Sequence, residues 1–217
     1  MDFFKFLIDF VLHIDKHLIT IVNMFGDWTY LILFIIIFIE TGAVILPFLP
    51  GDSLLFAAAA LSANSNYSLS IWIFILTFFV ASAAGDSLNF FIGRKVGNAL
   101  IEHQFFGKFI KERDLKRARE FFNKYGAIAI FLARFMPIIR TFAPFVAAGT
   151  DFSYKKFLKY NLVACICWVL ICCGAGYFFG NIPFVQAHFS LVIILIIIIS
   201  LIPALVGYLK SKVSTPK

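Results

Sequence analysis

Residues 28–63 read WTYLILFIIIFIETGAVILPFLPGDSLLFAAAALSA, and the length of this run and its interruptions decide the fold. The run is 36 residues long. A helical crossing of the hydrocarbon layer takes about 20 residues, so this is too much for one crossing and too little for two with a turn. Its middle carries Glu40, Pro47, Pro50, Gly51 and Asp52. Proline has no N–H to donate, and two prolines followed by glycine stop a helix sharply. The run therefore predicts a re-entrant helical hairpin over 28–63 that turns near Pro47, Pro50 and Gly51. Backbone broken at membrane depth is tolerated only where it packs against protein or lines a polar cavity.

Residues 126–150 pose the same problem: an apolar run broken by Arg134, Pro137, Arg140 and Pro144. They predict a second hairpin, turning at Pro137 and Pro144. The two halves of the chain match at one ungapped offset: Phe48-Leu49-Pro50 with Phe135-Met136-Pro137, Tyr67 with Tyr154, and Phe90-Phe91-Ile92-Gly93 with Tyr177-Phe178-Phe179-Gly180. Matches in a single register point to an internal repeat.

Working outward, residues 71–93 read as a transmembrane helix ending at Gly93, Arg94 and Lys95, and residues 157–180 and 189–209 as two more. The chain then divides into an N-terminal amphipathic segment (1–25, which a tilted span would also fit), a first repeat (26–97), a basic amphipathic segment (98–125), a second repeat (126–182) and the C-terminal helix (189–209). Hydrophobic residues make up 61% of the chain and charged residues 14%, too apolar for a soluble domain. The fold class expected is an all-α polytopic membrane protein.

The net charge of +7 is a topology signal, because no Lys or Arg occurs between His17 and Gly93 while nine of the 19 fall between Arg94 and Lys124. That distribution speaks against nucleic acid as a partner. Basic segments stay cytoplasmic, which puts 94–125 and the C-terminus inside and the uncharged linker 64–70 outside. The first hairpin then enters from outside and the second from inside, an inverted-topology repeat. In transporters that symmetry places the substrate site near the midplane, where the repeats meet.

Glu40, Asp52, Arg134 and Arg140 are the charges that need a reason. Each costs at least about 2.5–3.5 kcal/mol at bilayer depth unless paired or facing water. Carboxylates on one hairpin and guanidiniums on the other compensate, and arginine binds carboxylate or phosphate in bidentate fashion. The functional reading makes Arg134 and Arg140 a phosphate-binding pair, with Glu40 and Asp52 competing for them as proton carriers. The bland reading is a static cluster that locks the hairpins together, yet buried pairs stabilise weakly. Two placements are open for Asp86, the cytoplasmic interface or the same cavity, and it is grouped with the proton-coupling residues; Asn89 reads as an interhelical hydrogen bond. Cys165, Cys167, Cys172 and Cys173 share one apolar run and read as small helix residues. No nucleotide loop, nucleophile motif or metal-ligand spacing occurs, so neither an enzyme nor a metal site is expected. Asp2, Asp9, Asp15 and Lys16 interrupt the N-terminal run, which does not read as a signal peptide.

With Glu40-Thr41-Gly42, Pro47-Phe48-Leu49-Pro50-Gly51-Asp52-Ser53 and Arg134 through Pro144 in view, the chain resembles the bacterial DedA family of SNARE-associated, VTT-domain membrane proteins, and within it the DedA subfamily. The likeness runs over nearly the whole length. It implies a multi-pass protein of the bacterial inner membrane with paired re-entrant hairpins. It further implies a lipid transporter or flippase for undecaprenyl phosphate or a related phospholipid, with the proton gradient as energy source and no cofactor. The family's acidic pair falls on Glu40 and Asp52, and its arginine pair on Arg134 and Arg140. The partner implied is a membrane lipid, and an oligomer is compatible with the family. The alternatives are a proton-coupled small-ion transporter and a non-transporting membrane-assembly factor.

Overall fold

The computed structural model describes residues 13–42, 51–102, 122, 125–126, 128–149, 152–196 and 198. Pro47, Pro50, residues 1–12 and most of the basic segment lie outside the described residues, as does the chain beyond residue 198. Among the described residues every regular element is a helix. In chain order these are α1 (Ile14–Phe25), α2 (Trp28–Gly42), α3 (Gly51–Ser62), α4 (Ile71–Glu102), α5 (Ile128–Arg134), α6 (Pro137–Ala148), α7 (Tyr154–Phe179) and α8 (Pro183–Ala187). Residues 189–196 and 198 are helical as well.

Local chemistry accounts for the boundaries. Helix α1 buries Ile14, Leu18 and Val22, a stripe at four-residue spacing, and packs on α3. It stops at Gly26, whose φ of 53° suits a residue without Cβ and whose N–H bonds the Val22 carbonyl at 2.9 Å. Helix α7 starts at Tyr154, earlier than expected, because Ser153 caps it: its Oγ accepts the Lys156 N–H at 3.4 Å. Helix α4 runs past the expected end at Gly93 to Glu102. Lys and Arg are good helix formers, so reaching the headgroups gives the backbone no cause to stop. The second hairpin region breaks at Phe135–Met136, directly before Pro137 at the first position of α6. The expected turn at Pro144 is instead helical, since Pro144 lies inside α6 and removes only the N–H that would bond the Arg140 carbonyl.

Among the described residues two helices are long and apolar enough to cross a membrane, over Ile71–Lys95 and Tyr154–Phe179. At 1.5 Å per residue each reaches past a hydrocarbon layer of about 30 Å. Their outward faces are greasy: Trp72 is 75% exposed, Leu76 62%, Ile171 60% and Phe178 74%. Water would not tolerate so continuous an apolar surface, and lipid would.

The described residues fall into two compact units, one drawn from Met1–Ile37, Phe48–Ala81 and Cys167–Lys217, the other from Phe38–Pro47 and Ser82–Ile166. In the first, the Ser70 N–H donates to the Tyr30 hydroxyl at 2.7 Å, and the Tyr30 and Phe74 rings lie 4.6 Å apart. The start of α2 is therefore beside the start of α4. Helix α7 runs parallel to α3, with Gly176 on the Phe56 backbone and Gly180 on Ala60.

In the second unit α4 and α7 are antiparallel. Phe90 stacks on Phe157 at 4.6 Å, Asp86 meets Cys165, and Ser82 also lies beside Cys165. Helix α6 runs parallel to α4, with Thr141 at Asn89 and Phe145 at Gly93. Phe90, Phe122, Ile130, Val146 and Phe157 form the core of this unit with four alanines, Ala129, Ala133, Ala143 and Ala147. Phe122 meets Phe152 edge-on at 6.4 Å, which ties the approach to α5 to the approach to α7.

Candidate functional site: two buried guanidinium–carboxylate pairs

Arg134 ends α5 and Arg140 lies one turn into α6, so the break before Pro137 determines how both side chains are presented. Nη1 of Arg134 donates to Oδ2 of Asp86 on α4. Nη2 of Arg140 donates to Oε1 of Glu40, near the end of α2, at 2.5 Å. These are dry contacts, since the side chains are only 2% and 1% exposed in the first pair and 6% and 2% in the second. Arg140 also lies within electrostatic reach of Asp86, so the two pairs are neighbours.

Their depth follows from helix rise. Glu40 lies twelve residues past Trp28 and Asp86 fifteen past Ile71. That is about 18 and 22 Å along their helices, well inside an apolar layer of about 30 Å.

The surroundings of the pairs are polar but sparse. Cys165 Sγ lies 3.5 Å from the same Asp86 oxygen that Arg134 holds. Asn161 stands beside that carboxylate, its amide without a well-formed hydrogen bond among the described residues. Asn89, one turn past Asp86, donates from Nδ2 to the Thr141 carbonyl at 2.7 Å and the Thr41 carbonyl at 3.3 Å.

Two close approaches let the helices come this near. A Cβ on Gly85 would meet Thr41 at 2.9 Å, and one on Gly93 would meet the Phe145 carbonyl oxygen at 2.7 Å. Asp52 belongs to the other unit, in the first turn of α3, where its carboxylate accepts the Trp168 indole N–H at 2.8 Å. Gly51 opens that helix.

The structure thus joins Glu40 to Arg140 and Asp86 to Arg134, and buries Asp86 between helices. Asn161, Cys165 and Trp168 were not singled out as site residues in the sequence. For Asn161 and Cys165 a signal existed: they sit four apart, on one face of an apolar helix. Trp168 carried none. Among the described residues no group of three His, Cys, Asp or Glu side chains could hold a metal ion.

Chemically, each arginine is a fixed cation whose counter-ion comes from a different helix. An incoming anion of matching geometry could replace either carboxylate on its arginine, provided the displaced carboxylate takes up a proton.

Apolar helices with charge pairs buried between them define a polytopic helical membrane protein with an ionic core. The chain belongs to the DedA family: the VTT domain model matches residues 49–178. It is 44% identical over 212 residues to Protein DedA of Escherichia coli (strain K12), covering 98% of this chain and 96% of that protein. An uncharacterized membrane protein of Mycobacterium tuberculosis (strain H37Rv) is 39% identical over 185 residues, 85% of this chain and 81% of its own length. Inner membrane protein YghB of Escherichia coli (strain K12) is 31% identical over 180 residues, 83% and 78% of the two chains. No solved structure matches the chain at a significant level.

Proposed function

We propose that this protein carries phosphorylated lipids across the bacterial inner membrane, with undecaprenyl phosphate or a related phospholipid as cargo, and that it is not an enzyme. One observation carries the reading: two neighbouring arginines, buried at bilayer depth, are each held by a carboxylate from another helix. The lipid phosphate enters with its tail left in the bilayer and takes the guanidiniums from Glu40 and Asp86. Protonation of the released carboxylates keeps the pocket near neutral and links transport to the proton gradient. Asp52, hydrogen-bonded to Trp168 within the other unit, is a proton carrier in its own right.

The proposed scaffold is an inverted repeat of two re-entrant hairpins, with 94–125 and the C-terminus in the cytoplasm. The neighbouring starts of α2 and α4 support a first hairpin that leaves on the side it entered. The Phe122–Phe152 contact supports the same for the second. Within the two units, α4 pairs in parallel with α6 as α7 does with α3, and the matched glycines Gly93 and Gly180 stand at equivalent contacts. Labelling tests this in a chain freed of its four native cysteines. Met24→Cys and Ser65→Cys should react with a membrane-impermeant maleimide from one side, and Lys155→Cys from the other. Reaction of Met24→Cys and Ser65→Cys from opposite sides rules the hairpin out.

Function is tested in proteoliposomes loaded with undecaprenyl phosphate, other phosphorylated lipids or an unphosphorylated polyprenol, with and without a proton gradient. Phosphorylated lipid should move and polyprenol should not. Arg140→Ala should abolish movement while inserting normally. Flux of a small cation that is lost in Glu40→Gln and indifferent to lipid would favour the ion-transporter reading. Full activity with every site charge neutralised would favour the assembly factor.

A further inference from the structure

We propose that Asn89 is a positioning residue that sets how Glu40 and Arg140 face each other, which rests on the reading of that pair as part of the transport site. Asn89 is fully buried on α4. Both protons of its Nδ2 are committed to backbone carbonyls on two other helices, Thr41 at 3.3 Å and Thr141 at 2.7 Å. Thr41 follows Glu40 and Thr141 follows Arg140. A single amide therefore clasps the chain one residue past each member of the ion pair.

The clasp sits between two close approaches that leave little slack. Gly85 lies against Thr41 and the Phe38 carbonyl, and Gly93 lies against Phe145 and Ala148. Arg140 on α6 brings its guanidinium to the Glu40 carboxylate on α2 through an Nη2–Oε1 contact of 2.5 Å, and a directional, charge-assisted contact loses strength quickly when displaced. Holding both backbones from one side chain removes the rotation and sliding of α2 against α6 that would displace it. Asp86 on α4, itself paired with Arg134 on α5, lies within electrostatic reach of Arg140.

An ordinary interhelical hydrogen bond would stabilise the bundle without regard to the ion pair, and a thermodynamic cycle separates the two roles. The full-length protein is purified in one detergent as wild type, Asn89→Ala, the Glu40→Gln/Arg140→Gln pair variant, and the triple variant. Asn89→Ala should lower the melting temperature of the wild type by several degrees and that of the pair variant by less than half as much. Equal drops in both backgrounds overturn the proposal. Should Asn89→Ala not fold, Asn89→Ser, which can donate only once, takes its place in the same cycle. In liposomes containing undecaprenyl phosphate, Asn89→Ala should reduce turnover at least tenfold, and Asn89→Gln, which keeps the amide, should recover part of it. Turnover equal to wild type in Asn89→Ala also overturns it. If Arg140→Ala transports normally the transport reading fails, while the melting cycle still decides the role of Asn89.

Discussion

Arg134→Met is expected to destabilise the protein by about 3–5 kcal/mol, because it leaves the Asp86 carboxylate charged and buried without its counter-ion. Asp86 is 1% exposed; of its remaining neighbours Cys165 is a weak donor, Asn161 a poorly aligned amide, and Arg140, within electrostatic reach, is already held by Glu40. Methionine preserves most of the volume, so the loss reports charge and not a cavity. For a chain of this size each kcal/mol moves a melting temperature by roughly 2–4 °C, which makes the shift easy to measure in detergent. The second half of the expectation is the informative one. Arg134→Met combined with Asp86→Asn removes both charges, and apolar or neutral replacements of a buried pair often cost little. The double variant should melt well above the single one and still fail to move undecaprenyl phosphate. Stability regained without transport regained would mark the pair as retained for function. A double variant no more stable than Arg134→Met would mean that Arg134 is held by more than its charge.

The same pair shows what was legible in the sequence. Charges are so rare between His17 and Gly93 that Glu40, Asp52 and Asp86 stand out on inspection, and Arg134 and Arg140 do so beside two prolines. Their pairing was not legible. Which carboxylate meets which guanidinium depends on the rotation of α4 about its axis, and hydrophobic content does not encode that where one face meets lipid and the other protein. A cue was present in the spacing Ser82, Asp86, Asn89, Gly93, a polar and small stripe at helical period along one face of an apolar helix. That stripe is the face that meets α2, α6 and α7 in the structure. Basic residues signal the membrane boundary without ending a helix, so α4 continues beyond the expected transmembrane stretch to Glu102. The hydrogen bond from Trp168 to Asp52 joins residues 116 apart, and an indole in an apolar run looks the same whether its N–H faces a carboxylate or a headgroup.

Gly176→Ala, which adds a single methyl group, is expected to be among the most damaging changes available outside the charges. A Cβ there would fall on the carbonyl oxygen, carbonyl carbon and Cα of Phe56. All three are main-chain atoms in the middle of α3, whose residues from Ser53 to Ala60 are buried without a break, so no side chain can swing away. Overpacking usually costs about 1–3 kcal/mol, and the upper end applies where the obstacle is backbone. Relief requires α7 and α3 to separate, which would also pull Gly180 from Ala60 and stretch the Asn181 bond to the Ala60 carbonyl, 3.2 Å long. Close approach of this kind is how membrane helices gain contact where the hydrophobic effect offers none. Gly174, two residues earlier on the same helix, has nothing within 4 Å of its missing Cβ. Gly174→Ala should therefore be neutral or slightly stabilising, by up to about 1 kcal/mol from helix propensity. The two variants differ by neither chemistry nor helix, only by which face carries the methyl. Melting temperature and yield of monodisperse protein in detergent should fall for Gly176→Ala and hold for Gly174→Ala. Matching behaviour of the two would mean that α7 and α3 do not approach at Gly176.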